Sequence, residues 1–498
     1  MSWDFQITRR RFIELAGVGA AGLTVSPLLS APGVAASSGP NIVFILSDDQ
    51  DWTGLSVSMD DRTPNSRSDF YRTPNLERLA AQGMRFSTAY APSPVCSPTR
   101  YSLLTGKSPA RLHWTKAAPC VTAEEGHKLV PPHIVRNISD SETTIAELLR
   151  TAGYATAHYG KWHLSGGGPG PHGFDEHDGD TDNRDAAPFV DPNPVDIFGI
   201  TKRAAAFMEK HNKAGRPFYV QLSHHALHYP ENARKATVEA CRSRSAGRMH
   251  RDVQRAAITE DLDAGVGVLL SAIERLGIAG NTYVIYMSDN GGGGSQPRTV
   301  NAQRSLVRGR SRLRPLRGGK GSLWEGGIRV PLIIRGPGID ANTFCHVPVV
   351  GYDLLPTFCE LAGIGALPDH TDGGSLVPIF TSPQTGRVRR PSEELVWHFP
   401  HYQGSEGPHS AIRLGDYKLI RFYESGESRL FDLSTDLGET DDISARQPDT
   451  ARLLLQRLEE HLRDAGAQMP TPNPRHDPNS VPKPRRRPPD RAKRRRER

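Results

Sequence analysis

The stretch Cys96-Ser97-Pro98-Thr99-Arg100 sets a thiol and a guanidinium about one helical turn apart. Pro98 suits a first helical turn, the run Tyr101 to Thr105 continues it, and Gly106 ends it. A sulfur at a helix N-terminus beside an arginine has a lowered pKa, and the same place attracts anions, so the stretch is a candidate nucleophile or anion site. A buried structural cysteine is the competing reading. Other chemistry-bearing residues come in small clusters. Asp48, Asp49, Asp289 and Asn290 form an all-oxygen set that suits a hard cation such as calcium or magnesium rather than zinc. Lys161 lies two residues from the imidazole of His163, and in an extended segment the two point the same way. His224, His225 and His228 offer further acids or bases, and Lys320 follows Arg317-Gly318-Gly319 on what reads as a flexible loop. Cations of this kind suit an anion carrying a sulfuryl group. Singly, each cluster is also ordinary cap, turn or packing chemistry.

The elements that would position these residues alternate. The run 41–46 is continuously apolar, the pattern of a strand buried on both faces. Further apolar runs at 154–159, 217–222 and 282–287 are interleaved with helical patterns at 75–82, 141–151 and 252–276. This predicts an α/β fold with a mainly parallel central sheet and helices on both faces. Each polar cluster falls at the carboxyl end of a predicted strand, where such sheets collect their sites. The pattern changes after 375 to Pro-rich loops, then to 410–423 and 428–433, which read as short antiparallel strands around Gly426, and a packing helix at 451–465. We therefore expect a main domain over 37–375 and a smaller C-terminal α+β subdomain over 376–468 with a short antiparallel sheet.

A chain of 498 residues can bury a large core. Its five cysteines are too few and too scattered for a disulfide framework, and no Cys-x-x-Cys pair suggests zinc. From Arg475 to Arg498 there are eleven Lys or Arg against three Asp or Glu, a local net of 11 − 3 = +8, while the whole chain carries +7. The body is thus close to neutral, which removes the main support for nucleic-acid binding. With prolines at 482, 484, 488 and 489, the segment 469–498 reads as a disordered basic tail. At the other end, Arg9-Arg10-Arg11-Phe12 precedes a weakly apolar Gly- and Ala-rich run that ends in Val34-Ala35-Ala36. Residues 1–36 have the form of a twin-arginine export signal, and Pro27, Pro32 and the small residues make a poor spanning helix. An exported protein is expected.

Taken together, the segments 41–50, 96–106, 160–164, 224–230, 288–292 and 316–331 resemble, in order, the blocks of the Cys-type sulfatases. The pentad at 96–100 resembles that family's maturation signature, and 352–357 and 429–436 resemble its later segments. The resemblance covers most of the chain from Asn41 to about Asp442 and implies an alkaline phosphatase-like α/β sandwich. It implies that Cys96 is oxidised by a modifying enzyme to formylglycine, whose hydrate is the nucleophile. It further implies one calcium ion, ahead of magnesium or manganese, held by Asp48, Asp49, Asp289, Asn290 and the modified Cys96. Arg100 would orient the hydrate, and Lys161, Lys320 and His228 would bind sulfate. His228 would give a proton to the leaving alcohol, while His163 would take one from the second hydroxyl. The implied substrate is a sulfate ester, read here as a sulfated sugar or polysaccharide ahead of an aryl sulfate.

Two other functions fit parts of the pattern. A phosphoester or phosphonate ester hydrolase of the same superfamily shares the signature, although a two-metal phosphatase needs a second ligand set that the sequence lacks. A non-catalytic exported protein that binds sulfated glycans would do so through the same site and the basic tail. The aromatics of 397–402 read equally as a sugar site or as packing. The basic run 304–317 reads as a steering surface for an anionic polymer or as a plain loop.

Overall fold

The first apolar run becomes the strand Asn41–Ser47, buried along its whole length in an eight-stranded sheet. The computed structural model describes residues 39–117, 123–292, 314–403 and 406–480. Across the sheet the order is Thr343–Cys345, Met84–Phe86, Leu332–Arg335, Thr282–Ser288, Asn41–Ser47, Phe218–Ser223, Ala155–Gly160 and Glu176–His177. Leu332–Arg335 runs antiparallel to both neighbours. The remaining pairings in this sheet are parallel. Successive side chains of a strand point to opposite faces, and the central strand divides its residues accordingly. Ile42, Phe44 and Leu46 join a core with the helices Ile145–Thr151 and Leu354–Leu361. Val43 and Ile45 join a second core with Pro74–Ala81, Ile197–Lys213 and Val253–Arg275. Helices cover both faces of a mainly parallel sheet, as the alternating pattern predicts.

Side-chain caps mark the start of two helices that flank the sheet. Thr144 and Glu147 form a reciprocal capping box ahead of Ile145–Thr151. The Asp252 carboxylate accepts the N–H groups of Gln254 at 2.9 Å and Arg255 at 3.0 Å ahead of Val253–Arg275. The helix Ile197–Lys213 has no counterpart in the sequence reading. Its chain enters through Val195 and Asp196, both with positive φ, so no ordinary cap marks the start.

After the large sheet comes an antiparallel meander, Leu395–Phe399, His409–Leu414, Tyr417–Phe422 and Ser428–Asp432. The helix Pro448–Asp464 covers one face through Leu454, Leu458 and Leu462, which its turn spacing aligns. The other face, with Trp397, Ala411, Ile420 and Phe431, packs against Tyr90, Val95 and Trp324 beside the pentad. Trp397 Nε1 donates to Ala91 O at 2.9 Å, so this aromatic serves packing. Part of the expected tail is fastened to the body. Thr471–Pro472 pairs with Leu129–Val130, and Asn473 Nδ2 donates to His127 O at 2.7 Å. The expected export signal at 1–36, Cys120, residues 304–313 of the basic run and the tail beyond Ser480 lie outside the described residues. Among the described residues, no helix is long and apolar enough to cross a membrane.

Candidate active site

Parallel pairing of Asn41–Ser47 with Thr282–Ser288 sets Ser47 opposite Ser288, so the chain emerges from two neighbouring strands as Asp48 and Asp289. The helix Cys96–Thr105 points its first turn at them. Arg100 donates to Asp289 Oδ2 from Nε at 3.1 Å and from Nη2 at 2.8 Å, with Nη2 also 3.6 Å from Asp48 Oδ2. Cys96 is the first residue of that helix, and one ligand atom each from Asp48, Cys96 and Asp289 lie within 4.8 Å of one another. Lys161 Nζ pairs with Asp48 Oδ2. Asp49 Oδ1 accepts Asn290 Nδ2 at 2.7 Å and sits 2.6 Å from Lys320 Nζ. The oxygen set, Cys96, Arg100 and both lysines therefore form one buried cluster.

Two glycines make the approach possible. Gly160, with φ +92°, ends its strand where a Cβ would lie 2.2 Å from Ser223 O, and Lys161 N then donates to that oxygen at 2.7 Å. A Cβ on Gly291 would lie 2.0 Å from Gly326 O, so the Lys320 segment can lie directly on the Asp289 turn. Lys320 N donates to Gly292 O at 3.1 Å and Gly321 N to Pro94 O at 2.9 Å. The segment expected to be a flexible loop is docked on both sides. The segment 161–163 also departs from the extended form expected of it, since His163 has φ +61°. Its ring still comes close enough to feel the charges of Lys161, Arg100 and Asp48. Asp49, at φ +59°, is a second non-glycine residue held in the left-handed region, a strain that clusters at functional sites.

The electrostatics fit an anion and a cation together. Burial alone would raise the Asp48 carboxyl, but Lys161, His228, Lys320 and Arg100 hold it well below the ordinary value. Burial and the neighbouring Asp48 charge push Asp289 up to about 8. Burial also opposes ionisation of the Cys96 thiol, yet Lys161 and Lys320 hold its pKa down. Asp48 Oδ1 and Asn290 Oδ1 are buried without a hydrogen-bond partner. Two crowded carboxylates and two unpartnered oxygens fit a hard cation. The nearby imidazoles are held neutral by burial, with Lys161 and Arg100 adding to it. His163 is lowered to about 2 and His225 to about 3. His228 lies further out, half-buried, with Nδ1 2.8 Å from Tyr229 O.

A family model described as Sulfatase matches residues 40–364. The chain belongs to the sulfatase family. A second model, described as N-sulphoglucosamine sulphohydrolase, C-terminal, matches residues 319–468. This sulfatase is 32% identical to arylsulfatase A of Homo sapiens over 441 residues, 80% of this chain and 78% of that one. It is 33% identical to N-acetylgalactosamine-6-sulfatase of Sus scrofa over 427 residues, 78% of this chain and 74% of the other. The solved structure of Ps i-CgsB in complex with k-i-k-neocarrahexaose shares its fold, with TM-score 0.68 at 23% identity over 86% of this chain and 93% of that one. The protein is accordingly a hydrolase of sulfuric esters.

One residue that holds the sulfatase site together was not singled out from sequence. Arg255, buried in the first turn of Val253–Arg275, donates to Asp49 O through Nη2, and through Nη1 to Leu227 O at 2.6 Å and Glu231 Oε1 at 2.9 Å. It fixes the Asp49 loop against the histidine segment. An arginine 206 positions from its partner carries no local sequence signal.

Proposed function

We propose that this sulfatase hydrolyses the sulfate esters of a carbohydrate with a formylglycine made from Cys96, one calcium ion and the cation cluster around them. The observation that carries the reading is Cys96 at a helix start, within 4.8 Å of ligand atoms of Asp48 and Asp289 and under the charges of Lys161 and Lys320, with Asp48 Oδ1 and Asn290 Oδ1 buried and unpartnered. Asp48, Asp49, Asp289, Asn290 and residue 96 would hold the ion, which polarises the ester when bound. The aldehyde hydrate offers one hydroxyl to attack sulfur and a second on the same carbon, which a plain serine lacks. Lys161, Lys320 and His228 bind the sulfate oxygens, and Arg100 keeps residue 96 oriented. His228 gives its proton to the alcohol oxygen as the S–O bond breaks. His163, held neutral, is free to take the proton of the second hydroxyl, whose oxygen then re-forms the aldehyde C=O as the C–O bond to the sulfate group breaks and sulfate leaves. The likeness to N-acetylgalactosamine-6-sulfatase supports a sugar as the alcohol. A twin-arginine leader over residues 1–36 would export the protein after a cytoplasmic enzyme has modified Cys96.

Mass spectrometry of the peptide spanning 91–100 tests this directly. Conversion to formylglycine removes about 18 Da, and Cys96→Ala abolishes turnover without unfolding the protein. An unmodified thiol in fully active protein overturns the mechanism. Parallel assays on sulfate and phosphate aryl esters should favour sulfate.

A further inference from the structure

A cavity of about 840 Å³ opens between residues 56–72 and 244–249, and no step proposed above uses it. It lies on the same edge of the sheet as the site. The strands Asn41–Ser47, Phe218–Ser223 and Thr282–Ser288 are parallel, so the segments that form the cavity leave the strand ends carrying Asp48 and His224. Both segments precede helices that run back to the opposite edge. Direct contacts tie the walls together and to the site. The Asp69 carboxylate accepts the N–H groups of Met249 at 2.8 Å and His250 at 3.0 Å, and the Tyr71 ring lies 4.7 Å from the His250 ring. Arg255, five residues beyond His250, reaches Asp49 O.

The lining is cationic. Arg67, Arg72 and Arg248 are exposed in it, and among the described residues none of their guanidiniums makes an ion pair. The acidic groups of the cavity are already engaged, Asp69 by backbone donors and Glu77 by the Ser56 hydroxyl. Phe70 and Tyr71 lie buried beneath the lining, Phe70 under the Arg244 guanidinium at 5.3 Å, and the Ser68 hydroxyl accepts the N–H groups of both, which keeps this wall rigid. Unpaired guanidiniums form planar, two-pronged donors to sulfate or carboxylate oxygens.

We propose that this cavity is a subsite for a second acidic sugar of the same substrate, so that the enzyme takes oligosaccharides or polymers bearing more than one sulfate or carboxylate. The proposal rests on the sulfatase reading and adds the substrate class. Its test compares the wild type with a variant carrying Arg67→Ala, Arg72→Ala and Arg248→Ala. A control variant carries Arg452→Ala and Arg463→Ala on the C-terminal helix. Calorimetry measures dextran sulfate binding, and a turnover assay with 4-nitrophenyl sulfate measures its inhibition by the same polymer. The cavity variant should bind dextran sulfate about tenfold or more weakly, with the inhibition constant rising in step. Its kcat and KM for 4-nitrophenyl sulfate alone should be unchanged, and the control variant should match the wild type. Equal weakening in both variants overturns the proposal, because any surface arginine would then serve. Weaker binding with unchanged inhibition overturns it too, because the cavity would then be independent of the site. If the wild type turns over no sulfate ester, the catalytic reading falls separately, and the calorimetric comparison still decides the cavity.

Discussion

Two clusters of buried charge share the segment that runs from Arg317 to Arg329, and they are built differently. In the first, around Asp48, the oxygens Asp48 Oδ1 and Asn290 Oδ1 have no partner. In the second, Lys418 Nζ lies 2.9 Å from Glu325 Oε1 and 2.8 Å from Glu439 Oε1. There Glu325 Oε2 accepts Arg329 Nε at 2.7 Å and Tyr90 OH at 2.8 Å, and Glu439 Oε2 accepts Glu325 N at 2.7 Å. Residue types and burial are alike in the two. What separates them is pairing: Glu439 Oε1 makes no hydrogen bond but faces the Lys418 ammonium at 2.8 Å, so every carboxylate oxygen of the Glu325 cluster meets a cation or donor, whereas Asp48 Oδ1 and Asn290 Oδ1 meet none. The closed cluster reads as a brace that joins the C-terminal meander to the Lys320 segment, and the open one as a place for something that arrives later.

Breaking one lysine in each cluster should give opposite phenotypes. Lys418→Met strands Glu325 and Glu439 without their shared cation, which costs about 3–5 kcal/mol. Thermal and denaturant unfolding should show this loss, with turnover per folded molecule close to the wild type. Lys161→Met should lower turnover by about 10²–10³-fold, as loss of one preorganised charge at a reacting group does. Its stability should change less, because Arg100 remains 3.6 Å from Asp48. Equal stability losses in the two variants would remove the distinction between brace and site.

The sequence showed the open cluster far better than the closed one, for a physical reason. Asp48, Asp289 and Lys161 each follow an apolar strand, so local pattern and sheet topology together predict that they meet. The brace joins Glu325 in a short turn to Lys418 in a meander strand and Glu439 in a loop, and no periodicity connects those positions. The same limit hid Arg255. The four adjacent central strands of the large sheet and the helices Pro74–Ala81, Ile145–Thr151 and Val253–Arg275 were legible from apolar runs and caps; the short outer strands Met84–Phe86, Leu332–Arg335, Thr343–Cys345 and Glu176–His177 were not, nor was Ile197–Lys213, whose entry is left-handed. The stretch 410–423 read as strand but resolves into two strands about a turn at Gly415.

Removing the cation is the next sharpening. If the unpartnered oxygens hold calcium, EGTA should lower the apparent unfolding free energy by about 2.7 kcal/mol for an ion present at a hundredfold its Kd. Added calcium should restore it. The Lys418→Met protein should lose the same increment on top of its own defect, since the clusters share a segment but no cation. A chelator that shifts neither unfolding nor turnover would leave Asp48 Oδ1 and Asn290 Oδ1 unexplained and would sink the metal reading.

The smallest effect concerns histidines on either side of the same distinction. His398 in the meander is fully satisfied, with Nδ1 2.7 Å from Ser410 Oγ and Nε2 3.0 Å from Gln468 O, whereas His163 and His225 each leave Nδ1 buried and unpartnered. Burial lowers the His398 pKa to about 4. The unfolded chain takes up that proton near pH 6.5 and the folded chain does not. The contribution to stability is therefore whole above pH 6.5 and is lost as the pH falls toward 4. At pH 5 the loss is about 1.5 pH units of linkage, or about 2 kcal/mol. His398→Gln should flatten the stability curve between pH 6.5 and 4 by up to about 3.4 kcal/mol and leave turnover at pH 7 unchanged. His163→Gln should instead lower turnover at pH 7, where its ring is already neutral. If the two substitutions gave the same pH profile of stability and the same turnover, partner count would not distinguish a site histidine from a packing one.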